Sequence, residues 1–357
     1  MKKMSVLLTA LCLAGCSTIS GIGEDNTPAP SKLVAYQSQF SPQKMWSHKM
    51  DATKAVAIFD LSNGMTYWRS PLKQTLVAGP SIGNNLVIAG DNDGGLWALS
   101  LASGKTVWHV MLSDPIVSSP IISNNSVFVR TLDGSVWALN IQDGSVRWQS
   151  AHSVHTMVLS GGSKPLLVDN NIIVGSSNGN LTAYASQTGA VKWQTTIARP
   201  QGPADVEKMV DIVADPKISG NVVYVVTYQG NLAAVNAQTG QKLWQTPLSS
   251  FTGLAVAPQT IFVTDAKGVV WAFDRKTGKE IWKQEDLKYR RLTAPAVMGN
   301  MLVVADAEGY VHWLSQSSGL TLARVNVSSS SINSAPIVHG KEVYILSTNG
   351  LVTDYSY

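Results

Sequence analysis

Few residues of this chain are suited to chemistry, and those few do not converge. Its two cysteines are Cys12 and Cys16, and none of the 341 residues after Cys16 carries a thiol. A disulfide, a cysteine metal site or a thiol nucleophile in the body of the chain is therefore excluded. His152 and His155 stand three apart but fall in a stretch between apolar runs, with no third ligand beside them. Asp91, Asp93, Asp133, Asp265 and Asp306 are spread one or two per repeat in glycine-containing turns. That placement suits turn chemistry better than a carboxylate cluster around Ca²⁺. No glycine-rich phosphate loop, nucleophile elbow or catalytic triad pattern is present. The expectation is a protein without catalysis, cofactor or metal.

Composition narrows the remaining classes. Hydrophobic residues make up 45% of the 357-residue chain and charged residues 14%, enough apolar material for a large core. The net charge is +4, and removing Lys2 and Lys3 from the 27 basic residues leaves +2 against 23 acidic ones. Such a balance gives no reason to expect nucleic-acid binding. The small basic group Lys288, Arg290 and Arg291 reads as a solvated loop.

The first sixteen residues read as an address. Lys2-Lys3 precedes an apolar stretch from Met4 to Leu13, too short to span a bilayer and suited to a signal-peptide core. The following Leu13-Ala14-Gly15-Cys16 resembles a bacterial lipobox. That resemblance implies cleavage before Cys16 and acylation of its thiol, a reaction no other side chain supports. Ser17 is not the Asp that favours inner-membrane retention in similar signals, so it implies the outer membrane. Residues 17–43 contain Thr27-Pro28-Ala29-Pro30 and read, with Cys16, as a flexible lipidated tether. The expected division is a signal peptide over 1–15, the tether over 16–43 and a repeat domain over 44–357.

The body repeats. A polar residue and Gly open an alternating strand at Asp93-Gly94, Asp133-Gly134, Asn178-Gly179, Gln229-Gly230, Lys267-Gly268, Glu308-Gly309 and Asn349-Gly350. These glycines are 40, 45, 51, 38, 41 and 41 residues apart, the period of a four-stranded propeller blade. A second turn glycine follows each strand, with Trp four residues on, from Gly64/Trp68 to Gly278/Trp282; Ala323 stands where the last Trp would be. Ala98, Ala138, Ala183, Ala234 and Ala272 recur four residues after the first glycine, and we expect them to make room for a Trp ring. Each such ring buries enough area for roughly 4–6 kcal/mol gross, so the tryptophans are read as core. The last repeat ends after its third strand, and Met45-Trp46-Ser47-His48 can supply the fourth and close the ring. The fold expected is all-β, a propeller of seven to eight four-stranded blades closed by an N-terminal strand.

The run from Ala234 through Thr239-Gly240 to Trp244 resembles the repeats of quinoprotein-like propellers. Within that group the chain is similar to the BamB family, propeller lipoproteins of the outer-membrane β-barrel assembly machinery. The similarity is most specific at Gln39-Phe40-Ser41-Pro42 with Trp46, at Tyr228 to Leu232, and at Leu292 to Pro295 with Glu308 to Trp313. It departs from the family at Ala323 and in a short first blade. The resemblance implies a protein on the periplasmic face of the outer membrane. It implies binding to the POTRA domains of BamA, through it contact with the other lipoproteins of the complex, and contact with unfolded outer-membrane proteins. By position, the family's partner-binding loops fall on Met157, Leu159 and Ser160, where the family carries Arg in place of Ser160. In a second loop Asp211 matches one acidic contact of the family, with Val213 in place of another acid. Independently, residues 152–165 and 198–216 are the two longest connections between repeats, where binding commonly resides. The rivals are a quinone-dependent dehydrogenase on the same fold, which would need a vicinal cysteine pair, and a glycan-binding propeller.

Overall fold

The computed structural model describes residues 6–10, 28–50, 55–123, 125–150, 161–201, 203 and 205–357. Positions 1–5, Cys16, His152 and His155 lie outside them. Four strands near the N-terminus are β1 (Val6–Ala10), β2 (Gln43–Lys49), β3 (Ala55–Asp60) and β4 (Thr66–Pro71). After them, short strands fall into antiparallel sheets, the middle strands buried along their length and the outermost ones largely exposed. Blades 1 to 6 span residues 76–111, 121–150, 166–196, 217–247, 253–284 and 296–326, each with four strands in sequence order. Blade 7 is built from residues 337–356 and takes β2 as its outermost strand, with Trp46 opposite Asp354. The expected contribution of Met45 to His48 is thus met. The ring is completed by a further, three-stranded sheet in which the N-terminal strand β1 pairs with β3, and β3 with β4. First strands of successive blades touch one another around the centre.

The Ala/Trp pattern is a cross-strand pair. Ala98 faces Trp108, Ala138 faces Trp148, Ala183 faces Trp193, Ala234 faces Trp244 and Ala272 faces Trp282. A small residue opposite a large one lets the indole lie flat and reach the next blade. There it donates a hydrogen bond to a carbonyl: Trp68 to Leu101 at 2.8 Å, Trp108 to Ile141 at 2.8 Å, Trp244 to Arg275 at 3.1 Å. Trp46 does the same to Leu61 at 2.9 Å, carrying the pattern across the closure. Each ring also lies on a turn glycine of the next blade. Gly104 has φ +70°, and an added Cβ would come within 2.5 Å of the Trp68 ring, so conformation and space both require Gly there.

One junction is built differently. In blade 6 the pair is inverted, with Trp313 opposite Ala323. The space left by the absent outer Trp is taken by Phe40, edge-on to Trp313 at 6.2 Å between centroids and 5.6 Å from Tyr357. This corrects the reading of 16–43 as a flexible tether up to residue 43. From Ser31 onward the segment is attached: Ser31 N donates to Lys288 O at 3.0 Å, Leu33 packs on the core between blades 5 and 6, Arg324 lies over Tyr36, and Gln39 N donates to Leu322 O at 2.9 Å. Arg290 is likewise not in a solvated loop. It is 5% exposed, donates to Asp306 at 2.7 Å and to Ser31 O at 3.0 Å, and so fastens the segment to the ring.

Blade 7 carries Asp354 where blades 1 to 5 carry Ala. The residue is 1% exposed, and its Oδ1 accepts no hydrogen bond among the described residues. Burial, with the charge of Glu342 second, pushes its carboxyl up to about 7. Between an ordinary carboxylate value and about 7, the folded chain keeps a proton that the unfolded chain has released. Stability from this group is therefore full in acid and is lost as pH rises through that window. Asp354→Ala is expected to raise the melting temperature at pH 8, by about 1–3 kcal/mol of stability for one buried unpaired polar group. The gain should shrink at pH 4. An unchanged or lower melting temperature at pH 8 would contradict this account.

Candidate partner-binding face

In an antiparallel blade, alternate connections lie on opposite faces. The turns at Gly94 and its equivalents share one face with the inter-blade connections, and the turns at Gly104 and its equivalents lie on the other. The two long connections, between blades 2 and 3 and between blades 3 and 4, are on the first face. Their described parts meet. Gly162 N donates to Val117 O at 3.1 Å, Lys164 N to an oxygen of Asp215 at 2.7 Å, and Ile212 N to Ser176 O at 3.1 Å. Val117, Leu132, Gly161, Ile212 and Val213 line a small cleft there, with Arg130 and Asp211 in its floor. Leu132 is 40% exposed and Val213 partly exposed, while Ile212 is 1% exposed.

The structure separates the residues expected to bind. Met157, Leu159 and Ser160 lie outside the described residues. Val213 is at the cleft. Asp211 is corrected: it is 2% exposed and faces inward, so it is not an acidic contact at a loop tip. Its charge acts on Arg130, which is 5% exposed. Burial brings the Arg130 guanidinium down to about 10, and the Asp211 carboxylate pulls in the other direction. The sequence reading missed Arg130. Its signal was a charged residue ending the apolar strand Ser126–Arg130.

The aspartates singled out earlier do turn work. One oxygen of Asp91 accepts the amides of Asp93 and Gly95 at 3.0 and 2.7 Å, and the other accepts Trp97 Nε1 at 2.8 Å. Asp265 holds Lys267, Val269 and Trp271 in the same way. In blade 6 the aromatic donor is His312, at 2.9 Å from Asp306. Both are 0% exposed, and burial pushes the His312 imidazole down, so this pair offers no surface to a substrate. Among the described residues no group of three or more His, Cys, Asp or Glu is arranged to hold a metal. The centre of the ring contains a cavity of about 800 Å³ lined by the innermost strands of blades 1 to 5, among them Ile82, Ile121, Leu166 and Ile218. A second cavity of about 650 Å³, between Phe251, Tyr289 and Leu292, has Pro28 at its edge. The N-terminal segment thus leaves the ring beside the connections of blades 4 to 6.

Known proteins agree with this architecture. The profile of the family described as outer membrane protein assembly factor BamB matches residues 52–284. A protein of Legionella pneumophila (strain Paris), named outer membrane protein assembly factor BamB, is 39% identical over 99% of this chain and 99% of its own length. The crystal structure of BamB from Moraxella catarrhalis covers 88% of this chain and 100% of its own with a TM-score of 0.82 and 26% identity. A quinohemoprotein alcohol dehydrogenase from Pseudomonas putida HK5 shares only the fold, at 13% identity and a TM-score of 0.70. The chain therefore belongs to the family of outer membrane protein assembly factors BamB.

Proposed function

We propose that this chain is a non-catalytic lipoprotein, anchored through Cys16 to the periplasmic face of the outer membrane, that binds the POTRA domains of BamA and aids the assembly of β-barrel proteins. The observation that carries this reading is the similarity to an assembly factor along 99% of both chains. It is supported by the face on which the two long connections converge, since rigid scaffolds commonly bind through such loops. The stretch containing Met157, Leu159 and Ser160 ends at Gly161, beside the Val213 cleft. Apolar anchors in that stretch would add to the Leu132 and Val213 surface.

Pull-down of the tagged lipoprotein from outer membranes tests this. Leu159→Asp is expected to reduce capture of BamA at least tenfold, because it places a charge where apolar burial is needed. Its melting temperature should stay that of the wild type. Lys279→Glu, exposed in a turn on the opposite face, should capture BamA normally. Normal capture by a folded Leu159→Asp protein would overturn the assignment of this face.

A further inference from the structure

The loop joining blades 5 and 6 holds two large side chains on an uncommon backbone. Tyr289 and Arg291 have φ of +60° and +51°. Among the described residues, the other non-glycine positions with positive φ are Asn84, Asn85, Asp169 and Gln229, all in tight turns between paired strands. Left-handed backbone is costly at a bulky residue, so it persists only where the surroundings impose it, and such places cluster at ligand sites. Here Arg290, between the two, is drawn inward to Asp306 at 2.7 Å. Tyr289 N donates to Lys267 O at 2.8 Å, and Ala307 N to Arg290 O at 3.0 Å. A buried ion pair and two main-chain bonds thus pin the loop and leave Tyr289 and Arg291 exposed.

Both residues line the cavity of about 650 Å³, a size suited to a small ligand. Phe251, from the connection between blades 4 and 5, lines it too; its ring is 47% exposed and meets Tyr228 edge-on at 6.1 Å. Thr252 and Asn333 add neutral polar groups, and Lys267 adds a second cation. Charge at the cavity is one-sided. Asp265 gives one oxygen to the amides of Lys267 and Val269, at 2.8 and 2.9 Å, and the other to Trp271 Nε1 at 2.9 Å. Lys267 and Arg291 are exposed and hold no ion pair among the described residues. Main-chain donors are already committed: Ala266 N, Gly268 N, Tyr289 N and Thr293 N all bond within the ring. An extended peptide would find no ladder here to pair with, so recognition falls to the side chains.

We propose that this cavity binds an acidic oligosaccharide, through a pyranose ring that carries a carboxylate. The CH face of a pyranose stacks on an aromatic ring, and Phe251 and Tyr289 offer two such rings. Arg291 meets a carboxylate with a planar fork of donors, and Lys267 adds a point charge. Thr252 and Asn333 can pair with sugar hydroxyls. The pinned loop presents Tyr289 and Arg291 already ordered, which spares the ligand that cost. The cavity shares no lining residue with the Val213 cleft, so its ligand is independent of the BamA contact proposed above.

Calorimetric titration of the full lipoprotein in detergent tests this, with tetragalacturonate and a hyaluronan tetrasaccharide as acidic probes and maltotetraose as the neutral one. At least one acidic probe should bind, with maltotetraose at least tenfold weaker and added salt weakening the acidic sugar. Arg291→Gln and Phe251→Ala should each cost at least tenfold while keeping the wild-type melting temperature, because both side chains are exposed. Lys279→Glu, on the opposite face, should bind like wild type. Four results would each overturn the assignment: no binding of either acidic probe, equal binding of maltotetraose, displacement of the sugar by an equal concentration of sulfate, or folded Arg291→Gln and Phe251→Ala proteins that bind like wild type. Tighter binding of phosphatidylglycerol vesicles than of the acidic sugars, lost in the same variants, would overturn it in favour of a lipid headgroup. BamA capture by Arg291→Gln is read alongside and should stay normal, so failure of the partner assignment is distinguishable from failure of this one.

Discussion

A Cys16→Ala variant is expected to disappear almost entirely from the outer-membrane fraction. No helix among the described residues is long and apolar enough to cross a membrane; the attachment proposed above is through lipid on Cys16. Burying a methylene contributes about 0.8 kcal/mol, and a single acyl chain holds a protein only marginally, with a binding constant of about 10⁴ M⁻¹. A multiply acylated Cys16 would anchor stably, and its loss would change partitioning by orders of magnitude. Among the described residues after Cys16, the first attachment to the ring is at Ser31. Fourteen residues lie between Cys16 and Ser31, a reach of up to about 50 Å when fully extended. The anchor therefore acts on the ring beside blades 5 and 6, where Arg290, Leu33 and Phe40 hold the segment. Flotation after alkaline and high-salt washing measures the result. A Cys16→Ala protein that still floats with outer membranes would refute lipid attachment at this residue.

The parts of this architecture that repeat were legible in the sequence, because one physical requirement recurs at a fixed period. Of the seven repeat glycines Gly94, Gly134, Gly179, Gly230, Gly268, Gly309 and Gly350, all but Gly230 adopt positive φ, and they mark the blades. The Ala/Trp spacing indicates a small residue making room for a large ring, which the structure shows to be a cross-strand pair, and Trp46 marks the closing strand. What happens once was not legible. Phe40 fills the space at Ala323, yet nothing in its neighbours distinguishes a core aromatic from one in a linker. Pro28 and Pro30 made the segment look detached, whereas Leu33, Tyr36 and Phe40, three or four residues apart, dock it on blades 5 and 6. Asp211 was misplaced for a related reason. A charged residue in a long connection is ordinarily solvated, and the sequence holds no sign that Arg130, 81 positions earlier, lies beneath it.

That burial sets the expected result for Asp211→Ala, a loss of about 3–5 kcal/mol of stability. The estimate is the cost of removing one of two buried, electrostatically coupled opposite charges, since the remaining charge is left uncompensated. Here the remaining charge would be Arg130, already depressed to about 10 by burial even with Asp211 present. Removing both charges in Arg130→Met with Asp211→Ala should recover most of the loss, because two apolar side chains can replace a buried pair at little cost. Urea unfolding of the two single variants and the double variant measures the coupling directly. The cleft should follow the same order. Tyr228 N donates to Asp211 O at 2.9 Å, and Ile212 and Val213 continue from it, so a loosened Asp211 lets the apolar edge move. BamA capture should fall in Asp211→Ala and return in the double variant, which marks Asp211 as a positioning residue. If Asp211→Ala instead melts like wild type but loses capture, the carboxylate touches the partner directly and its burial against Arg130 is not what matters. If the double variant is no more stable than the single, the two charges are not coupled and the floor of the cleft is held by packing alone.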